Sequence, residues 1–166
     1  MTLEPARPDD LDAIMRMERT PGYELFIGSF ERPEHQANLV DPDWRYLVWR
    51  EGGRATAFVL FRRLTDPSLI VQAKRIAAET AGTGLSQRLL PAVIDWPFEN
   101  TGCNRLELDC SAENPRALRA YRREGFVEEG VVREVYRTAE GRFVSSVLFS
   151  MLRREWEVLP RRRSGG

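Results

Sequence analysis

The stretch of the chain best suited to binding a ligand lies near the middle and contains two glycines. Residues 81–86 read Ala-Gly-Thr-Gly-Leu-Ser, between an apolar-leaning run that ends at Glu79 and a long helical pattern. This order predicts a strand, a tight turn and a helix. Gly82 and Gly84 let the backbone turn sharply and approach a ligand closely. The unpaired N–H groups of the helix that follows favour a phosphate or pyrophosphate. A turn that only joins a strand to a helix is the alternative.

The histidine and the cysteines do not indicate a second site. His35 is the only histidine and lies in a short helix predicted from Pro33 to Leu39. A catalytic role for it is open, but a surface or locally bonded histidine is favoured because no partner pattern accompanies it. Cys103 and Cys110 have neither metal-ligand spacing nor a disulfide framework. We therefore expect no metal site and a reduced, cytoplasmic setting.

Composition indicates one ordinary globular domain. The chain has 166 residues, of which 42% are hydrophobic and 30% charged. Its formal net charge is zero, so no nucleic-acid partner is expected. No stretch approaches the roughly 20 apolar residues of a membrane span, and we expect neither a membrane partner nor a signal peptide. Residues 1–158 are predicted to form the domain, and residues 159–166 a disordered tail.

The first half of the chain is predicted to form strands and two helices around an aromatic loop. Asp9 and Asp10 are candidate caps for a helix. The stripe expected on that helix contains Leu11, Ile14, Met15 and Glu18. Residues 23–30 have no clear period and are rich in aromatic side chains, which favours a loop or partly helical flap. The predicted strands, the last three forming an antiparallel meander, are residues 2–6, 44–49, 55–61 and 69–79.

The second half predicts a strand–helix–strand unit followed by a helix and a hairpin. The helix after Gly84 has an apolar stripe, and Pro97 is expected to kink or fray its last turn. The stripe consists of Leu85, Leu89, Val93 and Trp96. Residues 104–110 form the next strand, parallel to the strand before the glycines. The remaining elements are a helix from Asn114 and strands at 126–137 and 142–152. The predicted fold class is therefore α/β, with a mixed sheet of an antiparallel meander plus a central parallel pair, and helices on both faces.

Two motifs on these elements resemble the GNAT superfamily of acetyl-CoA-dependent N-acetyltransferases, particularly the branch related to ribosomal-protein N-terminal acetyltransferases. The family's pyrophosphate loop, Arg/Gln-x-x-Gly-x-Gly/Ala, aligns with residues 81–86. Here Ala81 replaces Arg or Gln, and Ser86 replaces Gly or Ala. The second motif is an Asn, then Ala and an aromatic residue on a helix, then Gly-Phe. It corresponds to residues 114–126, and the order of elements also agrees with the GNAT fold.

The resemblance implies acetyl-CoA as the cofactor and assigns the residues that hold it. The backbone of residues 76–78 would hydrogen-bond the pantetheine arm as an additional strand would. Asn114 would contact the same arm, although its position before Pro115 also makes it a good helix cap. The cofactor-binding residues implied by the resemblance are Ile76, Ala77, Ala78, Ala81, Gly82, Thr83, Gly84, Leu85, Ser86, Asn114, Ala117 and Tyr121.

Acetyl transfer to an amine also needs a base and an acid. An amine with a pKa of about 10.4 is mostly protonated at pH 7, and deprotonating it costs roughly 4.6 kcal/mol. Glu79 and Asp109 are candidate bases, and Glu24 with Phe26 is the candidate site for the incoming amine. Each carboxylate can instead be solvated or salt-bridged. The resemblance assigns Tyr121 as the acid that protonates the departing thiolate, with a packing role as the alternative.

The resulting prediction is an N-acetyltransferase that acetylates the primary amine of a small molecule or a protein N-terminus by direct attack on the thioester. The departures at Ala81 and Ser86 leave an alternative, a non-catalytic acyl-CoA-binding or ligand-sensing module of the same fold. The alternating run from Phe143 to Met151 also predicts a possible homodimer through the C-terminal strands.

Overall fold

A seven-stranded mixed sheet organises the chain, and helices cover both of its faces. The structure is a computed structural model that describes residues 3–24, 26–80 and 85–160. The strands are β1 (Leu3–Pro5), β2 (Trp44–Glu51), β3 (Arg54–Arg62), β4 (Ile70–Ala78), β5 (Arg105–Ser111), β6 (Val127–Arg137) and β7 (Phe143–Leu152). The helices are α1 (Leu11–Glu18), α2 (Arg32–Val40), α3 (Leu85–Asn100), α4 (Pro115–Arg123) and α5 (Arg153–Trp156). The predicted fold class is confirmed.

The strand order places the parallel pair at the centre of the sheet. Along the sheet the order is β1-β2-β3-β4-β5-β7-β6. β4 and β5 run parallel, while the other neighbouring pairs are antiparallel. The hairpin of β6 and β7 therefore folds back so that β7 pairs with β5 and β6 forms the outer edge.

Alternation along the central strands divides the apolar residues between two cores. On β3, Val59 and Phe61 contribute to the core under α3, α4 and α5. Phe58 and Leu60 point the other way, into the core under α1 and α2. Because successive side chains of a strand point to opposite faces, a strand buried on both sides is apolar throughout. We call the two sides of the sheet the α3 face and the α1 face.

The first helix departs from its predicted stripe and cap. Its buried residues include Met17, whereas Met15 is only partly buried. Asp10 does not cap α1, because its carboxylate accepts the Arg7 N–H at 2.7 Å and two hydrogen bonds from the Arg50 guanidinium. This ion pair joins the start of the chain to β2.

The last turn of α3 does not fray. The helix continues through Pro91 and Pro97 to Asn100, so the expected fraying is wrong, while a kink at Pro97 stays a prediction. Ile94 and Phe98 lie on either side of Pro97 and are buried against the sheet. This packing holds the turn in place although proline cannot donate the usual backbone hydrogen bond.

The last described residues of the chain pack against the sheet. Trp156 of α5 is buried and stacks on Phe98, with the ring centroids 5.0 Å apart. Leu159 also packs against the α3-face core. Residues 161–166 of the predicted tail lie outside the described residues. Within the part of the chain that the structure describes, no helix is both long and apolar enough to cross a membrane.

The parallel pair opens after three residues. Ile70, Val71 and Gln72 of β4 pair with Arg105, Leu106 and Glu107 of β5, and the register between these strands ends there. β4 also contains a bulge, since Leu60 pairs with Arg75 and Phe61 pairs with Ala73. Lys74 is therefore an extra residue on β4, and such an insertion bends the strand that carries it. The two strands diverge at the centre of the sheet.

Candidate active site

A cavity of about 800 Å³ occupies the gap between β4 and β5. The lining comes from both strands, α3, α4, the described residues of segment 22–28 and the end of β6. The structure brings together around this cavity many of the predicted site residues: Ile76, Ala77, Ala78, Asn114, Ala117, Tyr121, Asp109, Glu24 and Phe26. Because the lining comes from both faces of the sheet, ligands can meet in the gap from opposite sides.

The open edge of β4 supplies backbone hydrogen-bonding groups to this cavity. Residues 76–78 pair with Val59, Phe58 and Ala57 of β3 on one side. On the side toward β5, the register has already ended at Gln72. An unpaired strand edge is suited to an extended ligand that pairs with it as another strand would. This geometry fits the pantetheine arm that the sequence resemblance places at residues 76–78.

The N-terminus of α4 opens onto the same cavity. Asn114 caps the helix, its Oδ1 accepting the Ala117 N–H at 3.1 Å, and Pro115 occupies the first helical position. The cap uses only the side-chain carbonyl of Asn114, so its amide N–H groups stay available to a ligand. Gly125 follows the end of the helix with φ +95°, a conformation that glycine adopts without strain.

Tyr121 lies on α4 between the cavity and the α3-face core. Its ring contacts Phe126 and Phe149, with centroids 5.8 and 5.6 Å away. Burial raises the pKa of the Tyr121 phenol above its ordinary value, so the hydroxyl is protonated at neutral pH. Among the described residues, none forms a hydrogen bond with this hydroxyl. The phenol is thus packed through its ring and has a proton available to a group in the cavity.

Asp109 lies on the opposite side of β5 from Tyr121. Leu108 and Cys110 belong to the α3-face core, so Asp109 between them points toward the α1 face. Tyr136 of β6 donates its hydroxyl proton to Asp109 Oδ2. Burial, followed by this hydrogen bond, raises the pKa of Tyr136. Tyr136 orients the carboxylate in the cavity lining, a role that the sequence did not reveal because β6 and β5 are distant along the chain.

Glu79, the other candidate base, is not among the cavity-lining residues. Its two carboxylate oxygens pair with Arg16 of α1 at 3.1 Å and with Arg54 of β3 at 2.6 Å. These two arginines hold the carboxylate beyond the end of β4. The salt-bridged alternative therefore describes Glu79 better than the role of base.

Segment 22–28 covers the cavity from the α1 face. The carboxylate of Glu24 accepts the Gly22 N–H at 2.8 Å, and the Phe26 side chain is 38% exposed. The hydroxyl of Tyr23 donates a long hydrogen bond, 3.5 Å, to the Ala78 carbonyl of β4. The segment is thus tied to β4 at one point, and it presents one carboxylate and an aromatic surface at the entrance for an acceptor.

A buried polar cluster packs next to this segment on the α1 face. Arg75 donates to Glu18 Oε1 at 2.7 Å, and its guanidinium lies 3.7 Å from the centre of the Phe30 ring. The other Glu18 oxygen lies 3.0 Å from His35 Nε2. His35 Nδ1 is 3.0 Å from the Tyr46 hydroxyl. His35 is fully buried, so the surface location is wrong and the locally bonded alternative is confirmed. Sequence reasoning missed the cluster, since its members come from four separate elements.

The cavity cysteine is not suited to covalent catalysis. Cys110 lines the gap and is free, as is Cys103. Burial raises the pKa of Cys110 to about 12. The thiolate is the nucleophilic form of cysteine, and very little of it exists at neutral pH when the pKa is this high. An acyl group held on Cys110 is therefore disfavoured.

The predicted phosphate turn lies beyond the part of the chain that the structure describes. Ala81, Gly82, Thr83 and Gly84 lie outside the described residues, as do the side chains of Leu85 and Ser86. The structure shows that β4 ends at Ala78 and α3 begins at Leu85, which agrees with the predicted strand before the glycines and the predicted helix after them. Binding of a pyrophosphate at this turn stays a prediction.

Comparison of the sequence with known families and proteins identifies acetyltransferases. Residues 11–126 match the acetyltransferase (GNAT) family. The chain is 31% identical over 75 residues to an uncharacterised N-acetyltransferase, p20, of Bacillus licheniformis, covering 45% of this chain and 42% of that protein. It is 36% identical over 55 residues to spermidine N(1)-acetyltransferase of Vibrio cholerae, covering 33% and 32%. The chain thus spans less than half the length of either relative.

Solved structures share the fold over nearly the whole chain. The Vibrio cholerae spermidine N-acetyltransferase in complex with CoA and spermine has a TM-score of 0.82 at 21% identity, covering 93% of this chain and 96% of that one. A probable acetyltransferase from Chromobacterium violaceum has a TM-score of 0.78 at 22% identity, covering 94% and 89%. At these identities the similarity establishes the architecture.

Proposed function

Because this chain belongs to the acetyltransferase (GNAT) family, we propose that it is an acetyl-CoA-dependent N-acetyltransferase that acetylates a primary amine by direct attack on the thioester. The observation that carries the proposal is the opening between β4 and β5. It joins an unpaired strand edge, a protonated phenol and a carboxylate in one cavity. The acceptor classes are a small-molecule amine and a protein N-terminus, the latter following from the predicted ribosomal-protein branch.

The donor side of the opening is the α3 face. The free edge of residues 76–78 and the amide of Asn114 fit the pantetheine arm, and acetyl-CoA would supply an activated acetyl group there. Backbone N–H groups on that edge can polarise the thioester carbonyl. Tyr121 has the proton that the leaving thiolate needs.

The acceptor side is the α1 face, where Asp109 serves as the base. An ammonium that enters between segment 22–28 and β5 meets a carboxylate already oriented by Tyr136. Asp109 attracts the ammonium and accepts its proton, directly or through water, so the neutral amine can attack. Acid and base therefore stand on opposite sides of the opening, as direct transfer between two bound reactants requires.

A broad panel of amines tests this function. The chain is incubated with acetyl-CoA and each amine, and the free thiol and the acetylated amine are both measured. We expect at least one amine to release thiol and to gain acetyl in equal amounts. Tight binding of CoA with no amine-dependent release would instead favour the non-catalytic binding or sensing module.

We also propose that two copies associate through the C-terminal strands. β6 is an edge of the sheet, and the exposed residues on its two faces include apolar ones. These side chains are Val127, Val131, Val132, Val135 and Tyr136, with Phe143 nearby on β7. A long apolar edge is a surface on which a second copy can pair. Light scattering that gives 19.1 kDa at every concentration would contradict this association.

A further inference from the structure

The position of Lys74 singles it out from the other basic residues. The chain has 25 lysines and arginines, and Lys74 is the only lysine. It is the extra residue of the β4 bulge and lines the cavity. Among the described residues, no carboxylate lies within ion-pair distance of its ammonium. A half-buried ammonium with no carboxylate in direct contact is incompletely compensated, and a bound anion would relieve that cost.

Lys74 and Asp109 occupy matching positions on the two diverging strands. The last register pair joins Gln72 to Glu107, so each residue is two positions beyond it on its own strand. Both therefore flank the start of the opening. Burial is the main cause that lowers the pKa of Lys74, and Arg62 adds to this effect, while Asp109 acts against it. The ammonium is electrostatically coupled to Asp109 without forming an ion pair with it.

The charges around the acceptor side do not suit a polycation. Among the described residues that line the cavity, the acidic ones are Glu24 and Asp109, and the basic ones are Lys74, Arg75, Arg116 and Arg137. Glu18 neutralises Arg75 in the buried cluster. Arg116 lies on the first turn of α4 and can bind the cofactor instead. Even without it, the positive charges of Lys74 and Arg137 equal the negative charges of the two carboxylates. An acceptor with several ammonium groups needs an excess of carboxylates, and the described part of the cavity lining does not supply one.

We propose that Lys74 binds a carboxylate of the acceptor, so the preferred acceptor is an amino acid or another amine with a carboxylate a few bonds from its amino group. The proposal rests on the proposed acetyl transfer and specifies its acceptor. The amino group of the acceptor lies at Asp109 on β5, and its carboxylate lies at Lys74 on β4. The lysine ammonium is a compact charge on a flexible stem. It can therefore adjust its position to the carboxylate of a bound acceptor.

Matched acceptors isolate the contribution of the carboxylate. Each α-amino acid of a panel is compared with its own carboxamide and with spermidine, by kcat/KM from thiol release and by calorimetric binding to the CoA-loaded protein. For the wild type, we expect kcat/KM for the acid to exceed that for the amide by about tenfold to a hundredfold, the range of one charge-assisted hydrogen bond.

Variants of Lys74 test the assignment. Lys74→Met should remove the preference by raising KM for the acid while leaving the amide unchanged, and Lys74→Arg should retain part of it. Arg45→Met deletes an exposed cation of β2 outside the cavity and should retain the full preference. Thermal melts check that all variants fold.

Three results decide between this proposal and the proposed function. Transfer to amides or spermidine as readily as to acids, or an equal loss for both in Lys74→Met, overturns the carboxylate site and leaves acetyl transfer standing. Lys74-dependent binding of acids without any transfer supports the site and refutes the enzymatic function. An absence of both binding and transfer for acids also overturns the site.

Discussion

Replacing Tyr121 by phenylalanine removes the hydroxyl proton and keeps the packing of the ring, so it distinguishes the two roles. The ring contacts with Phe126 and Phe149 are retained, because phenylalanine has the same ring. The lost hydroxyl has no hydrogen-bond partner among the described residues. We therefore expect Tyr121→Phe to bind CoA as well as the wild type and to melt at nearly the same temperature.

The loss should appear in turnover. Removing a positioned general acid typically slows a reaction by tenfold to a thousandfold, equivalent to about 1.4–4 kcal/mol of transition-state stabilisation. Burial raises the pKa of the Tyr121 phenol, so the hydroxyl keeps its proton until the thiolate departs, while the same shift makes the phenol a weaker acid. These two effects oppose each other, and the expected loss keeps the whole of this range.

The assay compares kcat, CoA affinity and melting temperature for Tyr121→Phe and for a matched variant, Tyr46→Phe. The Tyr46 hydroxyl lies in the buried cluster, 3.0 Å from His35 Nδ1, and does not line the cavity. Tyr46→Phe should lose about 1 kcal/mol of stability and keep its kcat. Unchanged kcat in Tyr121→Phe would return this residue to a packing role and leave water or another group as the acid.

Three further outcomes follow from the phosphate turn and the buried ion pairs. Gly84→Asp should weaken CoA binding in calorimetry, because a carboxylate would approach the phosphates; equal affinity would remove the turn from the site. Glu18→Gln should cost about 3–5 kcal/mol in urea unfolding, since it leaves Arg75 buried without its counterion; an unchanged midpoint would refute this. Burial alone would raise the pKa of Asp10, but the hydrogen bonds from Arg50 and the charge of Arg50 lower it below its usual 3.8. Asp10→Asn should therefore destabilise the protein near neutral pH, and the difference should vanish as the pH falls through the lowered folded pKa, whereas a pH-independent difference would contradict the ion pair.

Local patterns in the sequence were sufficient for most of the strands and helices and for the cap that borders the cavity. The Asn-Pro pair at 114–115 specifies a helix start through its own backbone chemistry, and the structure shows that cap. The alternation of Leu106, Leu108 and Cys110 likewise defines one face of β5. Such features depend on neighbours within one or two turns of chain, and the local order of residues carries that information.

The remaining features depend on contacts between distant parts of the chain. Glu18 is buried because Arg75, 57 positions away, supplies its counterion. Glu79 is removed from the cavity lining by arginines of α1 and β3. The bulge at Lys74 exists only in relation to its partner strand. No local period encodes these pairings, so the side chains that balance charge around the cavity emerge only from the tertiary structure.

A single-turnover experiment tests the central claim, direct transfer through the opening between β4 and β5. The chain is loaded with acetyl-CoA and mixed with an acceptor amine from the panel, and thiol, acetylated amine and intact protein mass are followed in time. We expect thiol and amide to appear together at one rate, with no acetyl group on the protein at any time. Acetylated protein that forms before the amide, or thiol release that does not depend on the amine, would contradict this mechanism.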